Sequence, residues 1–527
     1  MVAAALVAAG CGNSSDGGGS TSAGGGEKGG EKVLTIATAN DITGVDPAYV
    51  VDDQTHELVA NVYDIGIGLG EAQTDFGPVM SSSRPVPRAF DRWSISKDGL
   101  TYTFHVRQGM KMHDGTLVTP SDVAYSYNRL LGTNSGGRWA TNNILKDTKP
   151  FRVEGENVIM HADRPSVLAT QMLFADTFAI VDKEDVEKHA TRADPWAERW
   201  LSKNLANASG PYILESHTKD QELVLRAIKD YWAGPPAYDR IVWKIVPSGA
   251  ERLSLLKAGA VDMAMGLTPQ QIASLRGTDG ITISDGPTYR QTAMLINTTR
   301  PVLGDLKLRQ AISYGINYDD IIANSYSGAA VRSNGPVPSG SPFGLPADAG
   351  YAYDGDRAKQ LLGESGYDGT PISIIYSNDS VALGDVAVRV KSQLEALGIK
   401  IRLEPLNNAV YDERQARGKF DMLIDDILAW IPDADYLAEL FYKCDAFFNL
   451  TKFCDRSVDK AIEDGWSITD HDKRYALFED AQNKINAQAT WVYFLQSNFQ
   501  VAMRDSVTGF VTPQNVIPIY YNLKPAA

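Results

Sequence analysis

The side chains that could do chemistry are few and scattered. Histidines stand at positions 56, 105, 113, 161, 189, 217 and 471, with no His-x-His, His-Glu-x-x-His or Cys/His pair at the spacing a metal ion requires. Ser-x-x-Lys, the spacing of a serine nucleophile and its lysine, occurs at Ser94/Lys97, Ser216/Lys219 and Ser457/Lys460. No Ser-Asp-Asn or Lys-Thr-Gly accompanies any of them. Gly24-Gly25-Gly26-Glu27-Lys28-Gly29 spells a dinucleotide fingerprint, but it follows no strand and opens no helix. The adjacent acids Asp425 and Asp426 could move protons, yet neighbouring acids on a loop are usually solvated surface. These residues do not ask for an enzyme, no cofactor is implied, and a surface-anchored hydrolase is the rival from another class.

Composition narrows the choice further. A chain of 527 residues has room for roughly three domains. Its 43% hydrophobic and 22% charged content is that of a folded protein. The net charge of −15, without a basic block, makes nucleic acid a poor partner. No run of 18 apolar residues is present to span a bilayer.

Residues 1–10 are small and apolar, like the tail of a secretory signal, and Cys11 follows directly. Leu6-Val7-Ala8-Ala9-Gly10-Cys11 resembles a bacterial lipobox, which implies cleavage before Cys11 and acylation of its thiol. The resemblance lacks a basic segment at its start, which a start codon placed too far downstream would explain. Gly12 to Lys32 holds nine Gly and four Ser among 21 residues and no large apolar side chain, so residues 11–32 read as a tether. The expectation is an exported protein held by lipid on the outer face of the cell membrane, or periplasmic where an outer membrane exists.

The rest of the chain must position any site. Val33 to Thr38 and Tyr102 to Val106 alternate as strands. Thr119-Pro120-Ser121-Asp122 opens a helix, with Thr119 as N-cap and Pro120 at N1. Leu306 to Ile316 places Leu308, Ala311, Ile312 and Gly315 on one helical face, and Asp356–Leu362, Val386–Leu397 and His471–Ala487 also read as helices. Gly366 and Gly398 fall where left-handed helix ends are expected. Strand and helix signals mix without a repeat, so the fold class is α/β, built in lobes. Turns at Ser209-Gly210-Pro211, Gly234-Pro235-Pro236 and Gly335-Pro336-Val337-Pro338 mark possible boundaries.

Seven motifs in order resemble the extracytoplasmic solute-binding proteins of ABC importers, family 5, the peptide/nickel class. They are the strand pair Phe90–Phe104, its continuation Val106–Gly115, the helix start Thr119–Val123, Ser209-Gly210-Pro211-Tyr212, Lys229-Asp230-Tyr231-Trp232, Leu308–Ile316 and Ala358–Tyr367. Apart from these, Gly44-Val45-Asp46-Pro47-Ala48 resembles the family's Leu-Asp-Pro loop. The resemblance implies a periplasmic-binding-protein-like fold: two hinged α/β lobes, a ligand cleft between them and an extra inserted domain. By analogy residues 33–77, 205–296 and 497–527 would form the first lobe, 78–204 the inserted domain and 297–496 the second lobe.

The same resemblance supplies the candidate site. In peptide-binding relatives a Trp at the position of Trp430 is followed three residues on by an Asp that pairs with the ligand's α-ammonium, which here is Asp433; the alternatives are a loop-capping or surface acid for Asp433 and simple core packing for Trp430. Asp433 would then lie open to water without ligand. The residues before Trp430, Leu428 and Ala429, would offer main-chain groups to a peptide in strand-addition style. After Asp433 the sequence departs from the usual Asp-Pro, which weakens transfer of peptide specificity. Asp46 sits in a loop at the expected cleft edge. The absence of histidine near Trp430 argues against nickel or haem. With Cys11 lipidated, Cys444 and Cys454 remain as an even pair for a local disulfide clip. The expected function is capture of short peptides, or a related small solute, by a monomeric lipoprotein that delivers them to a membrane permease. An oligosaccharide-binding protein of the same fold is the alternative, since nine Trp and 23 Tyr could stack on sugar rings.

Overall fold

The computed structural model describes residues 30–50, 52–133, 135, 141 and 144–526. The signal segment, Cys11 and the tether up to residue 29 lie outside the described residues. Eleven elements position the site: β1 (Val33–Thr38), α1 (Asp53–Val62), β2 (Ile67–Thr74), β3 (Gly77–Pro87), α2 (Pro120–Gly132), β4 (Ile281–Ile296), α3 (Leu306–Tyr314), β5 (Met422–Leu428), α4 (Ala434–Phe441), α5 (His471–Ala487) and β6 (Trp491–Arg504).

The antiparallel pair β4 and β6 runs through the middle of an 11-stranded sheet. On one side β4 continues to β5, then Ile372–Ser377 and Ile401–Leu406. On the other, β6 continues through Met263–Ala264 to β1, Arg240–Ile245, Glu222–Ala227 and Tyr212–Thr218. A register shift between Pro287 and Gln291 interrupts the β4–β6 ladder between these halves, and such an irregularity bends a strand. Each half has its own core, with Leu34, Trp243, Leu223 and Tyr520 in the first and Met294, Ile312, Val386 and Phe494 in the second.

A separate four-stranded antiparallel sheet, with Phe90–Ile95, Thr101–Val106, Asn157–His161 and Phe151–Glu154, occupies the inserted segment. Its core of Phe90, Phe104 and Tyr127 runs on to Ala429, Tyr436 and Phe478 beyond β5. The hairpin β2–β3 pairs with Thr512–Pro513 of the tail, so the border expected between residues 77 and 78 falls inside one hairpin.

Local chemistry explains these elements. Thr119 accepts from the Asp122 amide while the Asp122 carboxylate accepts from Thr119, a complete capping box that starts α2 with Pro120 in its first turn. The apolar face of α3, Leu308, Ala311 and Ile312, is fully buried. Gly398 adopts the expected left-handed conformation, φ +100°. Gly366 does not. Its amide donates to Asp305 at 2.8 Å, so a side chain ends that turn instead.

Candidate binding cleft

Asp433 is where the structure departs most from expectation. The residue is 5% exposed. Arg474 of α5 grips both its oxygens, at 2.6 and 2.7 Å, and the Asp433 side chain also caps α4 by accepting from the Asp435 amide. Asp433 therefore does not lie open to water, and its charge is already met. Asp46 repeats the arrangement. It is 4% exposed, caps the short turn Pro47–Tyr49, and receives both Arg129 amino groups of α2, at 2.8 and 2.6 Å. Burial would lower the Arg129 pKa, but the hydrogen bonds and charge of Asp46 outweigh it and hold it above the ordinary arginine value. Beside the first pair, Asp435 is fully buried, with Arg474 at 3.7 Å. Burial pushes its carboxyl up to about 7, with Arg164 and Arg474 pulling the other way.

Trp430 stands in the cleft region. It lines a small pocket with Leu69 of β2, Gln171 and Phe174 of the inserted segment, Ile431, and Asn515 of the tail. Its indole lies 4.4 Å, centroid to centroid, from the ring of His56 on α1. His56 in turn shares its Nδ1 with Asp176 of the inserted segment at 2.7 Å. Burial disfavours the imidazolium, but Asp176, and more weakly Asp53 and Asp52, outweigh it and raise the His56 pKa. One turn earlier on α1, Asp53 accepts from Arg290 of β4 at 3.0 Å. Three separate parts of the chain thus meet around His56, and neither His56 nor Arg290 stood out in the sequence.

The main chain of β5 carries the other half of the site. Leu428 pairs with Arg290, and the Ala429 amide donates to the Tyr289 carbonyl at 3.0 Å. In an antiparallel ladder, hydrogen-bonded and non-bonded pairs alternate. With Ala429 and Tyr289 bonded, Asp426 and Leu428 turn their amides and carbonyls away from β4. On that far edge the strand Ile372–Ser377 pairs only with Met422 and Leu423. Among the described residues, no strand covers the edge of β5 beyond Leu423. The expectation that Ala429 presents its amide to a ligand is corrected, because Tyr289 takes it. Leu428 retains its outward groups. The Asp426 amide is held by the Asp425 carboxylate at 2.9 Å.

Asp425 and Asp426 are half-buried on this strand rather than loop surface. Gln415 donates to Asp425 at 2.8 Å, and Thr292 donates to Asp426 at 2.5 Å. Burial, reinforced by the charge of Asp426, pushes the Asp425 carboxyl up to about 7. Farther along, Cys444 and Cys454 are joined as a disulfide. Phe448 in the enclosed loop stacks on Phe441 of α4 while Phe447 projects into solvent. Among the described residues, no group of three His, Cys, Asp or Glu could hold a metal ion, and no helix is long and apolar enough to cross a membrane.

Comparison with known proteins places this architecture. The chain is 29% identical over 493 residues to the probable D,D-dipeptide-binding periplasmic protein DdpA of Escherichia coli K12, covering 91% of each. The fold matches the ABC transporter-associated periplasmic binding protein DppA of Helicobacter pylori in complex with the peptide STSA, with TM-score 0.81, 21% identity, and 94% and 98% of the two chains covered. It also matches the binding protein AgaA of A. tumefaciens R10 in complex with agropinic acid, with TM-score 0.79, 21% identity, and 94% and 99% covered. These structures share the two-lobed periplasmic binding protein fold. The family model for the middle of the bacterial extracellular solute-binding proteins, family 5, matches residues 84–449, more than half of the chain. The protein is a member of that family of solute-binding proteins.

Proposed function

We propose that this protein captures short peptides outside the cytoplasm and hands them to an ABC permease. The observation that carries the reading is the uncovered edge of β5 at Asp426–Leu428, beside the aromatic wall of Trp430. A peptide laid along that edge would pair its main chain with Leu428 and with the Asp426 carbonyl, which binds without regard to side chains. Trp430 would close over it, and Ala429 would set the strand's direction through its bond to Tyr289. Asp433 and Asp46 hold the fold's internal geometry in this reading. The acids left for a ligand ammonium are Asp425 and Asp426. The known ligands of relatives support peptides, since DppA of Helicobacter pylori was solved with one. Acylation at Cys11 and action as a membrane-tethered monomer belong to the same proposal.

Native mass spectrometry of protein purified without stripping should show a bound peptide mass. Calorimetry with that peptide and its N-acetylated form then tests the charge. Acetylation should weaken binding by about 30-fold or more, because it removes the ammonium and leaves the acid of the site without its partner. Equal affinities would remove Asp425 and Asp426 from the site while leaving main-chain capture intact.

A further inference from the structure

We infer that an apolar chamber adjoining the Trp430 pocket receives an uncharged apolar side chain of the captured solute, an inference that rests on the cleft being the capture site. The chamber has a volume of about 290 Å³. A cavity of roughly 150 Å³ lined by aliphatic and aromatic groups is enough to hold benzene, so this one has room for an indole-sized group or a long aliphatic chain. It adjoins the cleft, because Leu69, Phe174 and Asn515 line both it and the pocket under Trp430.

The walls specify the occupant. Ala60 comes from α1 and Tyr63 from the residue that ends it, Met80 and Val86 from β3, and Ile517 and Ile519 from the tail. Three charged groups line the chamber; Glu71 on β2 is exposed to solvent, and the other two are satisfied elsewhere. Arg88 donates to Asp64 and to the Tyr231 hydroxyl at 2.9 and 2.7 Å, and Asp176 is taken by His56. An acidic side chain entering here would lose its hydration with no free counter-charge, a basic one would find only the solvent-exposed Glu71, and an apolar one gains burial. Asn515 and Asn522 add polar residues to the lining.

The test uses a neutral probe and a peptide panel. N-phenyl-1-naphthylamine fluorescence should rise on titration into the whole protein. Ala60→Phe, which fills the chamber from α1, should weaken that binding at least tenfold, with the folded state checked by thermal melting. Met80→Trp fills it from β3 and gives the same reading if Ala60→Phe fails to fold. No probe binding to wild type, or unchanged binding in a folded filled variant, overturns the chamber. In calorimetry Gly-Phe and Gly-Leu should bind at least tenfold more tightly than Gly-Gly and Gly-Glu, and the filled variant should erase that preference. Equal binding of all four dipeptides, unchanged by filling, overturns the inference while peptide capture stands. Probe binding lost on filling, with no dipeptide bound, supports the chamber and overturns the peptide reading.

Discussion

Asp46 and Asp433 differ instructively from the junction around His56. Each of the two acids caps a short turn or helix and closes both oxygens on a buried arginine. Such a pair is self-contained, with little charge left over and no exposed face. The His56 junction is built the other way. Its imidazole, Asp176, Trp430, Asp53 and Arg290 come from α1, the inserted segment, β4 and the segment after β5. Asp46–Arg129 joins the first lobe to the inserted segment as a closed pair, whereas the His56 junction shares its charge among several segments and packs against the cleft residue Trp430. The first kind of charge holds the fold together, and the second reports on the cleft.

The sharpest way to break this contrast is to neutralise one acid of each kind. Asp433→Asn takes from the buried Arg474 the carboxylate that grips it and leaves only Asp435 at 3.7 Å, so it should destabilise the fold by about 3 kcal/mol in denaturant unfolding. Asp46→Asn should act similarly through Arg129. If Asp433→Asn melts like wild type and only loses ligand, the distinction collapses. Reducing the Cys444–Cys454 bridge comes next. Its closed loop of ten residues supports at most roughly 3 kcal/mol by loop-closure entropy, and melting with and without reductant measures it.

The smallest effect sharpens the junction side. A raised His56 pKa means that protonation favours the folded state. That contribution is fully present below the unfolded value of about 6.5 and is lost as pH rises through the higher folded value. Unfolding stability of wild type should therefore fall, by about 1 kcal/mol or less, between roughly pH 6 and pH 9. His56→Gln should flatten that profile with little change in the melting temperature at high pH. A parallel decline in the variant would assign the pH dependence to another group.

Much of the fold was legible because its signals are local. The capping box at Thr119, the apolar face of α3 and the helix His471–Ala487 depend only on nearby residues, and each forms as its pattern predicts. The role of Asp433 was misjudged although its local signal was present. Asp433-Ala434-Asp435 before the apolar run Tyr436-Leu437-Ala438 is a helix N-terminus pattern, and Asp46-Pro47 is one as well. The arginines that close on these acids lie 41 and 83 residues away, which no spacing rule reveals. His56 and Arg290 were missed for the same reason, because their partners are 120 and 237 residues distant. Gly366 shows the limit at short range, since Asp305, a residue outside its turn, supplies the bond that a left-handed glycine would otherwise free.

The central claim is that the uncovered edge of β5 receives the main chain of the ligand. Hydrogen exchange over residues 424–431, measured with and without the peptide recovered by native mass spectrometry, tests it most directly. The Leu428 amide, which faces the open edge, should slow markedly on binding, while the Ala429 amide, already bonded to Tyr289, should change little. Unchanged exchange at Leu428 under saturating peptide would contradict main-chain capture at this strand.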